Sequence, residues 1–321
     1  MKKQTNSLFL SFVIPVMDEE QTLDALYQGI KNTLHKVDST IQFEVIFIDD
    51  GSTDKSWEAM SLLVKQNSGT VKAIKLRRNF GKAHALSCGF KTCSGDVVFT
   101  MDADLQDDPG EIPKFLEKIE QGFDVVSGWK SNRQDPISKT LPSKLFNKIT
   151  AKLTGIPLHD FNCGFKAYRK EVLDGIKIYG ELHRYIPVLA QELGFTNTEV
   201  SVKHNKREFG VSKYGWERYT RGLVDLLTVL ATTRYLTKPG HLFGGLGIGA
   251  GLSGSLILGY LGVLWFMGLG PIGTRPLFFI GILLVILSIQ MISLGVLAEL
   301  ITRHNDSGPT DNVISEIQGF E

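Results

Sequence analysis

Two long stretches without a charged side chain occupy the C-terminal part of this 321-residue chain. One runs from Leu242 to Thr274 and the other from Pro276 to Ala298, with Arg275 between them. Each is longer than the roughly 20 residues that a helix needs to cross a bilayer. The connecting segment GLGPIGTRP is rich in helix breakers. The pattern therefore predicts a membrane hairpin whose two ends lie on the same side.

Charged residues beside this hairpin indicate its orientation in the membrane, and small residues within it indicate how its helices pack. Arg234, Lys238 and Arg303 flank it, whereas the turn has Arg275 alone. Because cytoplasmic flanks carry the excess of Lys and Arg, this predicts that the large N-terminal part lies in the cytoplasm, at the inner or plasma membrane. Small residues recur at every fourth position of the first stretch: Gly247, Gly251, Ser255 and Gly259. This spacing favours close helix packing in lipid over a nucleotide-binding loop.

Composition excludes some other classes of function. Lys and Arg total 35 against 34 Asp and Glu, so the net charge of +1 argues against a nucleic-acid binder. The three cysteines, Cys88, Cys93 and Cys163, lack the close pairing of a zinc site, and we expect them to be reduced and mostly buried. The segment LFLSFVIPV follows two lysines as in a signal peptide, but MDEE follows it without a small-residue cleavage site, which favours a buried strand.

Apolar runs and helical patterns alternate through the N-terminal two thirds of the chain. The predicted strands are LSFVIPV, FEVIFID, VKAIKL, DVVFTMD and DVVSG. Amphipathic stretches separate them, at Glu19 to Val37, Thr53 to Lys65 and Gly81 to Thr92. This alternation predicts an α/β fold with a mainly parallel sheet covered on both faces, in which ligands bind beyond the carboxyl ends of the strands. Polar segments follow four of the strands: PVMDEE, DDGSTD, RRNFGKAHA and DADLQ.

The acidic segment MDADLQDDP, residues 101–109, has two interpretations. Asp108 and Pro109 suit the start of a helix over Glu111 to Gln121, and Asp107 fits the same cap. Capping does not explain the alternation of Asp102, Asp104 and Gln106, whose side chains converge if the segment is extended. Hard oxygen ligands of this kind suit Mg²⁺ or Mn²⁺ shared with a substrate's phosphates. In DDGSTD, likewise, Ser52 or Thr53 could cap a helix that begins near Asp54.

Six motifs in order, FVIPVMDEE, IDDGSTD, RRNFGKAHAL, MDADLQDDP, DFNCGFKAYRKEV and HNKREFGVSKYG, followed by two spans, resemble the family 2 glycosyltransferases of GT-A fold. The resemblance is to the branch that glycosylates polyprenyl phosphates, which includes dolichyl-phosphate mannose synthase and bacterial enzymes that glucosylate undecaprenyl phosphate. It implies a Rossmann-like GT-A domain. It also implies inverting transfer of one sugar from a nucleotide-sugar, such as a UDP-hexose or GDP-mannose, to undecaprenyl or dolichyl phosphate.

The resemblance also implies roles for individual residues. The nucleotide would be bound by Pro15, Asp18, Glu20, Asp50, Lys82 and Asp102. Asp102, Asp104 and Gln106 would hold Mg²⁺ or Mn²⁺, with Asp104 contributing to catalysis. Asp160 of HDFNCGF matches the family's catalytic carboxylate, which we expect to orient the acceptor or the sugar; the alternative is a loop carboxylate that caps backbone amides. The chain departs from the family at Met17 and Asp18, where an aromatic residue and Asn are more usual.

An anionic acceptor beside an anionic donor requires fixed positive charge. Candidate phosphate-binding residues are Arg133, Lys139 and Lys144 in one segment, and Arg207, Ser212 and Lys213 in another. A solvated helix face is the alternative for the first group. In the second group Gly210 and Gly215 lie on either side of Ser212 and Lys213 as possible hinges, and the resemblance makes this segment a lid over the phosphates. Two weaker candidates on the acceptor side are His183 and Arg184.

The segment after this lid has an apolar stripe at helical spacing: Trp216, Tyr219, Leu223, Leu226, Leu227 and Leu230. Next to a membrane hairpin it predicts a helix in the interface. We therefore divide the chain into a GT-A domain (1–210), a lid end with juxtamembrane helices (211–240), the hairpin (241–303, spans near 242–268 and 276–300) and a polar cytoplasmic tail (304–321). The resemblance also implies a homo-oligomer, such as a tetramer.

Two other functions fit part of the pattern. A processive polysaccharide synthase shares the nucleotide motifs, but two spans are too few for a polymer channel and the chain has no QxxRW motif. A non-catalytic membrane scaffold could have the same fold, and the intact carboxylates Asp102, Asp104 and Asp160 argue against it.

Overall fold

The computed structural model describes residues 8–131, 143, 147–152, 154–176, 182–205 and 239–305. The described residues up to 205 belong to one compact unit, and residues 239–305 belong to another. The predicted lid and interfacial helix, 206–238, lie outside the described residues, as does the predicted tail from residue 306. The proposed division into four segments therefore stays a prediction.

Within the described residues, the first unit contains one seven-stranded sheet in the order β3-β2-β1-β4-β6-β5-β7. The strands are β1 Phe9–Val16, β2 Gln42–Asp49, β3 Val71–Lys75, β4 Val97–Thr100, β5 Val125–Trp129, β6 Lys166–Arg169 and β7 Asn197–Ser201. Strand β6 runs antiparallel to β4 and β5, and every other pairing is parallel. The expected α/β fold with a mainly parallel sheet is confirmed.

Helices connect these strands: α1 Leu23–Val37, α2 Ser56–Gln66, α3 Lys82–Thr92, α4 Ile112–Glu120, α5 Lys170–Asp174 and α6 Ile186–Glu192. The 3-10 turns Pro109–Glu111 and Leu182–Arg184 precede α4 and α6. The predicted starts of α1 at Glu19 and of α2 near Asp54 were too early. Polar groups of these two loops bind each other, which keeps both segments out of the helices.

Strands β6 and β7 were not predicted. The first is four residues long and reads KAYR, with a charged residue at each end, so it has neither the apolar run nor the alternation of a typical strand. It nevertheless lies in the interior of the sheet, between β4 and β5. Its Ala167 and Tyr168 are buried, and Lys166 is buried with them.

Aromatic rings fill the core beneath the sheet. The rings of Phe12 and Phe99 stack at 5.0 Å, and those of Phe115 and Phe165 stack at 4.3 Å. Phe165 immediately precedes β6, so the turn that leads into this strand is anchored in the core. Packing of this kind fixes the backbone from which the carboxyl-edge loops project.

The second unit is a helical hairpin of α7 Pro239–Phe266 and α8 Pro276–Asn305. Both are apolar and long enough to cross a membrane, over Phe243–Phe266 and Pro276–Ala298. The helices approach closely at small residues: a Cβ on Gly251 would lie 2.6 Å from the Ser288 Oγ, and one on Gly254 would lie 2.8 Å from the Gly281 carbonyl oxygen.

The predicted every-fourth-residue stripe is correct for Gly247 and Gly251 and wrong for the next two positions. Ser255 is exposed, and a Cβ on Gly259 would meet no atom within 4 Å. Beyond Gly251, the residues of α7 that are covered by α8 or buried are Gly254 and Leu261. Gly254 lies three residues after Gly251, and Leu261 lies seven residues after Gly254. This is the spacing of helices that pack at a small left-handed crossing angle.

Candidate active site

The polar segments singled out in the sequence meet at the carboxyl ends of the parallel strands β1, β2, β3 and β4. Pro15 lies near the end of β1, beside Ile48 of β2. The pairing of β1 with β4 ends two residues earlier, at Val13, so the absent N–H of Pro15 interrupts no ladder on that side. At this point β1 and β4 separate, and the edge of the sheet opens beyond them.

The loops after β1 and β2 are joined by reciprocal hydrogen bonds. The Thr53 amide donates to the Asp18 carboxylate at 2.7 Å, and the Asp18 amide donates to the Ser52 hydroxyl at 3.0 Å. One turn on, the Lys55 amide donates to the Glu20 carboxylate at 3.0 Å. Ser52 and Thr53 thus bind the neighbouring loop and do not cap α2, which corrects that alternative.

Asp50 ties the next loop into the same edge. Its carboxylate accepts hydrogen bonds from the Phe80 amide at 2.7 Å and the Gly81 amide at 2.9 Å. Burial raises the pKa of this carboxyl, and the two amides oppose that shift. The contact fixes the segment that leads directly into α3, whose first residue is Lys82.

Lys82 reaches across the edge of the sheet to the acidic segment. Its ammonium forms an ion pair with the Asp102 carboxylate, and both side chains are partly exposed. Behind Asp102, a Cβ on Gly164 would lie 2.7 Å from a carboxylate oxygen, so only glycine leaves room for this carboxylate. The structure therefore brings together three segments far apart in sequence: the start of α3, the end of β4 and the turn before β6.

Asp107 and Asp108 are adjacent, and the structure gives them different environments. Asp108 accepts a hydrogen bond from the Gly110 amide at 2.9 Å with Pro109 at the first position of the 3-10 turn, as predicted for a cap. Asp107 is fully buried and forms an ion pair with Lys130 at 2.9 Å. Burial lowers the pKa of Lys130, but the combined effect of Asp107, Cys163 and Asp102 outweighs burial and raises that pKa above its usual range. The prediction that Asp107 shares the cap is wrong.

The middle of the acidic segment has a constrained backbone. Leu105 adopts a φ of +60°, which is rare for a residue with a branched side chain and concentrates at functional sites. This turn leaves Asp104 nearly buried, with its carboxylate accepting from the Gln106 amide at 3.2 Å. The Asn205 amide donates to the Gln106 carbonyl oxygen at 2.9 Å, so the start of the predicted lid motif is attached to the acidic segment.

The donor set of Asp102, Asp104 and Gln106 consists of oxygen atoms, which suits Mg²⁺ or Mn²⁺. Among the residues that the structure describes, no three His, Cys, Asp or Glu side chains form a self-contained metal site. A metal held by one or two carboxylates and completed by phosphates needs no such cluster. The residues present therefore fit a divalent cation that binds together with a diphosphate.

Asp160 lies in the turn that precedes β6 and is almost fully buried. Its carboxylate accepts from the Asn162 amide at 3.1 Å, as in the capping alternative. It is also close to charged groups. The pKa of the neighbouring Lys166 is lowered to about 8, chiefly by burial and to a smaller extent by Lys82 and Arg184, whereas Cys163 and Asp160 oppose this shift. The turn thus combines the Asp160 carboxylate with a buried amine.

Several predicted residues cannot be placed. The phosphate-binding candidates Arg133, Lys139, Lys144, Arg207, Ser212 and Lys213 and the stripe from Trp216 to Leu230 lie outside the described residues. The two weaker candidates, His183 and Arg184, form part of the second 3-10 turn, and Arg184 is buried. The cysteines are reduced; Cys93 and Cys163 are buried, and burial raises the pKa of Cys163 to about 12, which makes it a poor nucleophile.

Residues 11–176 match the sequence profile of the glycosyl transferase family 2. The chain belongs to this family. The glycosyltransferase assignment and the GT-A fold, which the motifs implied, are therefore confirmed.

Curated relatives of this glycosyltransferase match almost its whole length. The dodecaprenyl-phosphate galacturonate synthase of Rhizobium johnstonii is 38% identical over 321 residues, covering 97% of this chain and 93% of that protein. The undecaprenyl-phosphate 4-deoxy-4-formamido-L-arabinose transferase of Pseudomonas fluorescens is 38% identical over 299 residues, covering 92% and 85%. The protein of the same name from Pseudomonas syringae is 36% identical and covers 92% and 86%.

Solved structures support the fold at lower identity. Glucosyl-3-phosphoglycerate synthase from Mycobacterium tuberculosis, in complex with Mn²⁺, uridine-diphosphate and phosphoglyceric acid, superposes with a TM-score of 0.52 at 16% identity. The match covers 70% of this chain and 78% of that one. At this identity the likeness shows the fold alone.

Two lysines near the carboxyl edge of the sheet, one half-buried and one buried, were missed as site residues. Lys130 directly follows β5, and Lys166 opens β6. Each is a lone lysine beside a short apolar segment, which in a sequence resembles the polar end of a strand. For Lys130 the one signal available was position, because residues at the carboxyl end of a parallel strand face the ligand edge of such a sheet.

Proposed function

We propose that this glycosyltransferase transfers a single sugar, with inversion, from a nucleotide-sugar to polyprenyl phosphate at the cytoplasmic face of a membrane. The observation that carries the proposal is the extent of the match to relatives named for dodecaprenyl and undecaprenyl phosphate. The match covers 97% and 92% of the chain and so includes the apolar helices as well as the sheet. Enzymes that share only the nucleotide-binding half of the fold would not match through the hairpin.

In this proposal the nucleotide lies across the carboxyl ends of β1, β2 and β4. Pro15 and the joined loops of Asp18, Glu20 and Asp50 form its binding surface. Several of these carboxylates already accept backbone amides, so they act mainly by fixing the shape of the surface. Lys82 supplies positive charge at the same edge, and its ammonium can turn from Asp102 toward a phosphate.

Asp102, Asp104 and Gln106 would hold a divalent cation, Mg²⁺ or Mn²⁺, together with the donor's diphosphate. When bound, the cation neutralises charge on the departing nucleoside diphosphate. Asp104 is the most buried member of the set, so we expect the loss of its charge to reduce transfer more than a change at Asp102 or Gln106.

On the acceptor side, a lipid phosphate is largely dianionic at neutral pH and needs little help from a general base. We therefore assign to Asp160 the role of orienting the acceptor or the sugar. Arg133, Lys139, Arg207, Ser212 and Lys213 remain the proposed phosphate ligands. His204 and Asn205 pair with the acidic segment, which would keep the first residues of the lid motif near the donor.

The two apolar helices would anchor the enzyme at the bilayer that contains its acceptor, with the sheet unit on the cytoplasmic side. We further propose a homo-oligomer, in line with the resemblance stated above. A polyprenyl acceptor has its phosphate at the membrane surface, so an anchored enzyme meets a high local concentration of it.

The test is a transfer assay with the full-length protein in detergent or liposomes. Undecaprenyl phosphate is offered with UDP-linked glucose, galacturonate and 4-deoxy-4-formamido-L-arabinose and with GDP-mannose, and the lipid product is weighed by mass spectrometry. We expect one donor to give a single added sugar, and the Asp104→Asn variant to give almost none. Products that contain several sugars would indicate a processive synthase, and no lipid-linked product from any donor would refute the proposal.

A further inference from the structure

Lys166 is a lysine in the interior of a sheet. It pairs in register with Thr100 of β4 and Ser127 of β5, and its side chain is only 3% exposed. Among the described residues its amine has one hydrogen-bond partner, the Phe161 carbonyl oxygen at 3.0 Å. An ammonium group has three donors, and one neutral acceptor does not offset the loss of its hydration. Burying the charged amine at this position therefore costs free energy of desolvation that its one hydrogen bond does not offset.

The hydrogen-bond partner of the Lys166 amine indicates what the amine does. Phe161 follows Asp160 directly, and both belong to the turn that ends at Gly164, which packs against the Asp102 carboxylate. Lys166 is therefore the charged group inside the turn that presents Asp160 on one side and supports Asp102 on the other. An apolar residue would fill the same space in the core without the cost of burying a charge.

We propose that Lys166 is a positioning residue for Asp160, which holds the turn through the Phe161 carbonyl oxygen and offsets the Asp160 charge with its own. The proposal rests on the proposed function, in which Asp160 orients a substrate. Because Lys166 is enclosed in the sheet, it acts through the turn and does not itself touch the donor. Its removal would therefore lower turnover more than it weakens nucleotide binding.

The chain offers a matched control in Lys170, at the other end of β6. Its amine also donates to a backbone carbonyl, that of Phe90 at 2.8 Å, and it pairs with Asp174. It lies beside Asp96, at the start of β4 and away from the carboxyl edge. Lys166→Met and Lys170→Met thus remove the same group, with the same kind of acceptor, at opposite edges of one sheet.

Transfer rates and KM for the nucleotide-sugar are measured for both variants in the full-length protein. We expect Lys166→Met to lower kcat by at least about tenfold, because small displacements of an orienting group are costly, with KM changed by less than about twofold. Lys170→Met should retain wild-type kcat and KM. If Lys166→Met keeps wild-type kcat, or if its kcat falls only in proportion to the fraction of folded protein, the proposal is wrong.

The dependence of kcat on pH shows whether Lys166 positions the turn through its charge or only fills space in the core. The titratable groups around the amine are Asp160, Cys163, Lys82 and Arg184, and burial is the main cause that lowers the pKa of Lys166 to about 8. Wild-type kcat should therefore fall as pH rises through this value, as the ammonium loses its proton. Lys166→Met should lack this alkaline limb, and Lys170→Met should retain it. An identical limb in Lys166→Met would overturn the proposal.

Stability gives a second, independent readout. A Lys whose pKa is lowered in the folded state carries its penalty in full below about pH 8, and the penalty disappears as pH rises toward the unfolded value near 10.5. Wild-type protein should therefore gain stability relative to Lys166→Met over that window, measured by denaturant unfolding. A stability difference that does not change with pH would contradict the burial of a charged amine.

Failure of the proposed function can be told apart from failure of this inference. Asp160→Asn is assayed in parallel, and a fully active Asp160→Asn variant would refute both the role of Asp160 and the role of Lys166. If the wild-type protein transfers no sugar to lipid, the proposed function fails, and hydrolysis of the nucleotide-sugar by water then replaces transfer in the same comparison of variants. An inactive Asp160→Asn with a fully active Lys166→Met would overturn the Lys166 inference alone.

Discussion

The carboxylates at the ligand edge of the sheet are neutralised in two different ways. In the loops after β1 and β2, Asp18 and Glu20 accept hydrogen bonds from the backbone amides of Thr53 and Lys55. In the acidic segment after β4, by contrast, Asp102 and Asp107 are paired with the side chains of lysines. The first arrangement joins one loop to another, and the second places charge against charge.

This difference assigns different tasks to the two regions. A carboxylate that binds backbone amides is fixed by the fold, and moving it would open the loops. An ammonium group is a compact charge on a flexible stem, so a carboxylate paired with Lys82 can exchange that partner for another cation. We infer that the joined loops form the frame of the nucleotide site, and that the segment from Asp102 to Gln106 takes part in the chemistry.

The largest expected effect comes from the acidic segment. Asp104→Asn keeps the size of the side chain and removes its charge, and we expect transfer to fall by about 100-fold or more, as when preorganised charge stabilisation is lost at other active sites. The unfolding midpoint should hardly change. Asp108→Asn is the matched control, since Asp108 lies in the same segment and serves as a helix cap. Equal rates for the two variants would contradict the division of tasks.

Asp107 tests the buried ion pair. Removing one partner of such a pair leaves an uncompensated buried charge, so Asp107→Asn and Lys130→Met should each cost about 3–5 kcal/mol of folding stability. The double variant removes both charges and should be more stable than either single one. Denaturant unfolding of the three proteins provides the measurement. Additive losses in the double variant would show that the two groups do not depend on each other.

Gly164 tests the contact behind Asp102. A methyl group at this position would lie 2.7 Å from the Asp102 carboxylate and must displace it. We expect Gly164→Ala to weaken metal-dependent UDP binding by roughly tenfold while costing no more than about 1–3 kcal/mol in stability from overpacking. Unchanged affinity for UDP would mean that the position of Asp102 is not critical.

The smallest effect is expected in the frame. Asp18→Asn keeps an oxygen that can accept from the Thr53 amide, so stability should change by less than about 1 kcal/mol, whereas Asp18→Ala leaves that amide without its partner and should cost about 1–2 kcal/mol. In neither variant should the response of UDP binding to metal change. A lost response in Asp18→Asn would move Asp18 from the frame into the chemistry.

Much of this architecture could be read from the sequence because it rests on apolar pattern. Strands β1, β2, β4 and β5 contain apolar runs, and the two spans of the hairpin are long and uncharged, so their hydrophobic pattern identifies them. Strand β6 was missed because pairing with β4 and β5, rather than local composition, makes KAYR a strand. The starts of α1 and α2 were misplaced because contacts between loops 35 residues apart determine them.

The same limit applies to the candidate site, whose residues stay a prediction. The motifs place Asp50, Lys82, Asp102 and Asp104 at one edge, since parallel strands end together. They do not reveal which of two neighbouring aspartates is buried. Asp107 and Asp108 differ because Lys130, 23 and 22 positions away respectively, lies beside Asp107 after folding. Partners at that distance depend on tertiary packing and leave no periodic signal.

Calorimetric titration of UDP, with Mn²⁺ and with EDTA, tests the central claim most directly: that the acidic segment binds a divalent cation together with the donor's diphosphate. It compares wild-type protein, Asp104→Asn and Asp108→Asn. We predict that Mn²⁺ tightens binding to the wild type and to Asp108→Asn by at least about tenfold, because metal and phosphates complete each other's coordination, and that Asp104→Asn binds equally in both buffers. Equal binding of UDP to the wild-type protein in Mn²⁺ and in EDTA would contradict the claim.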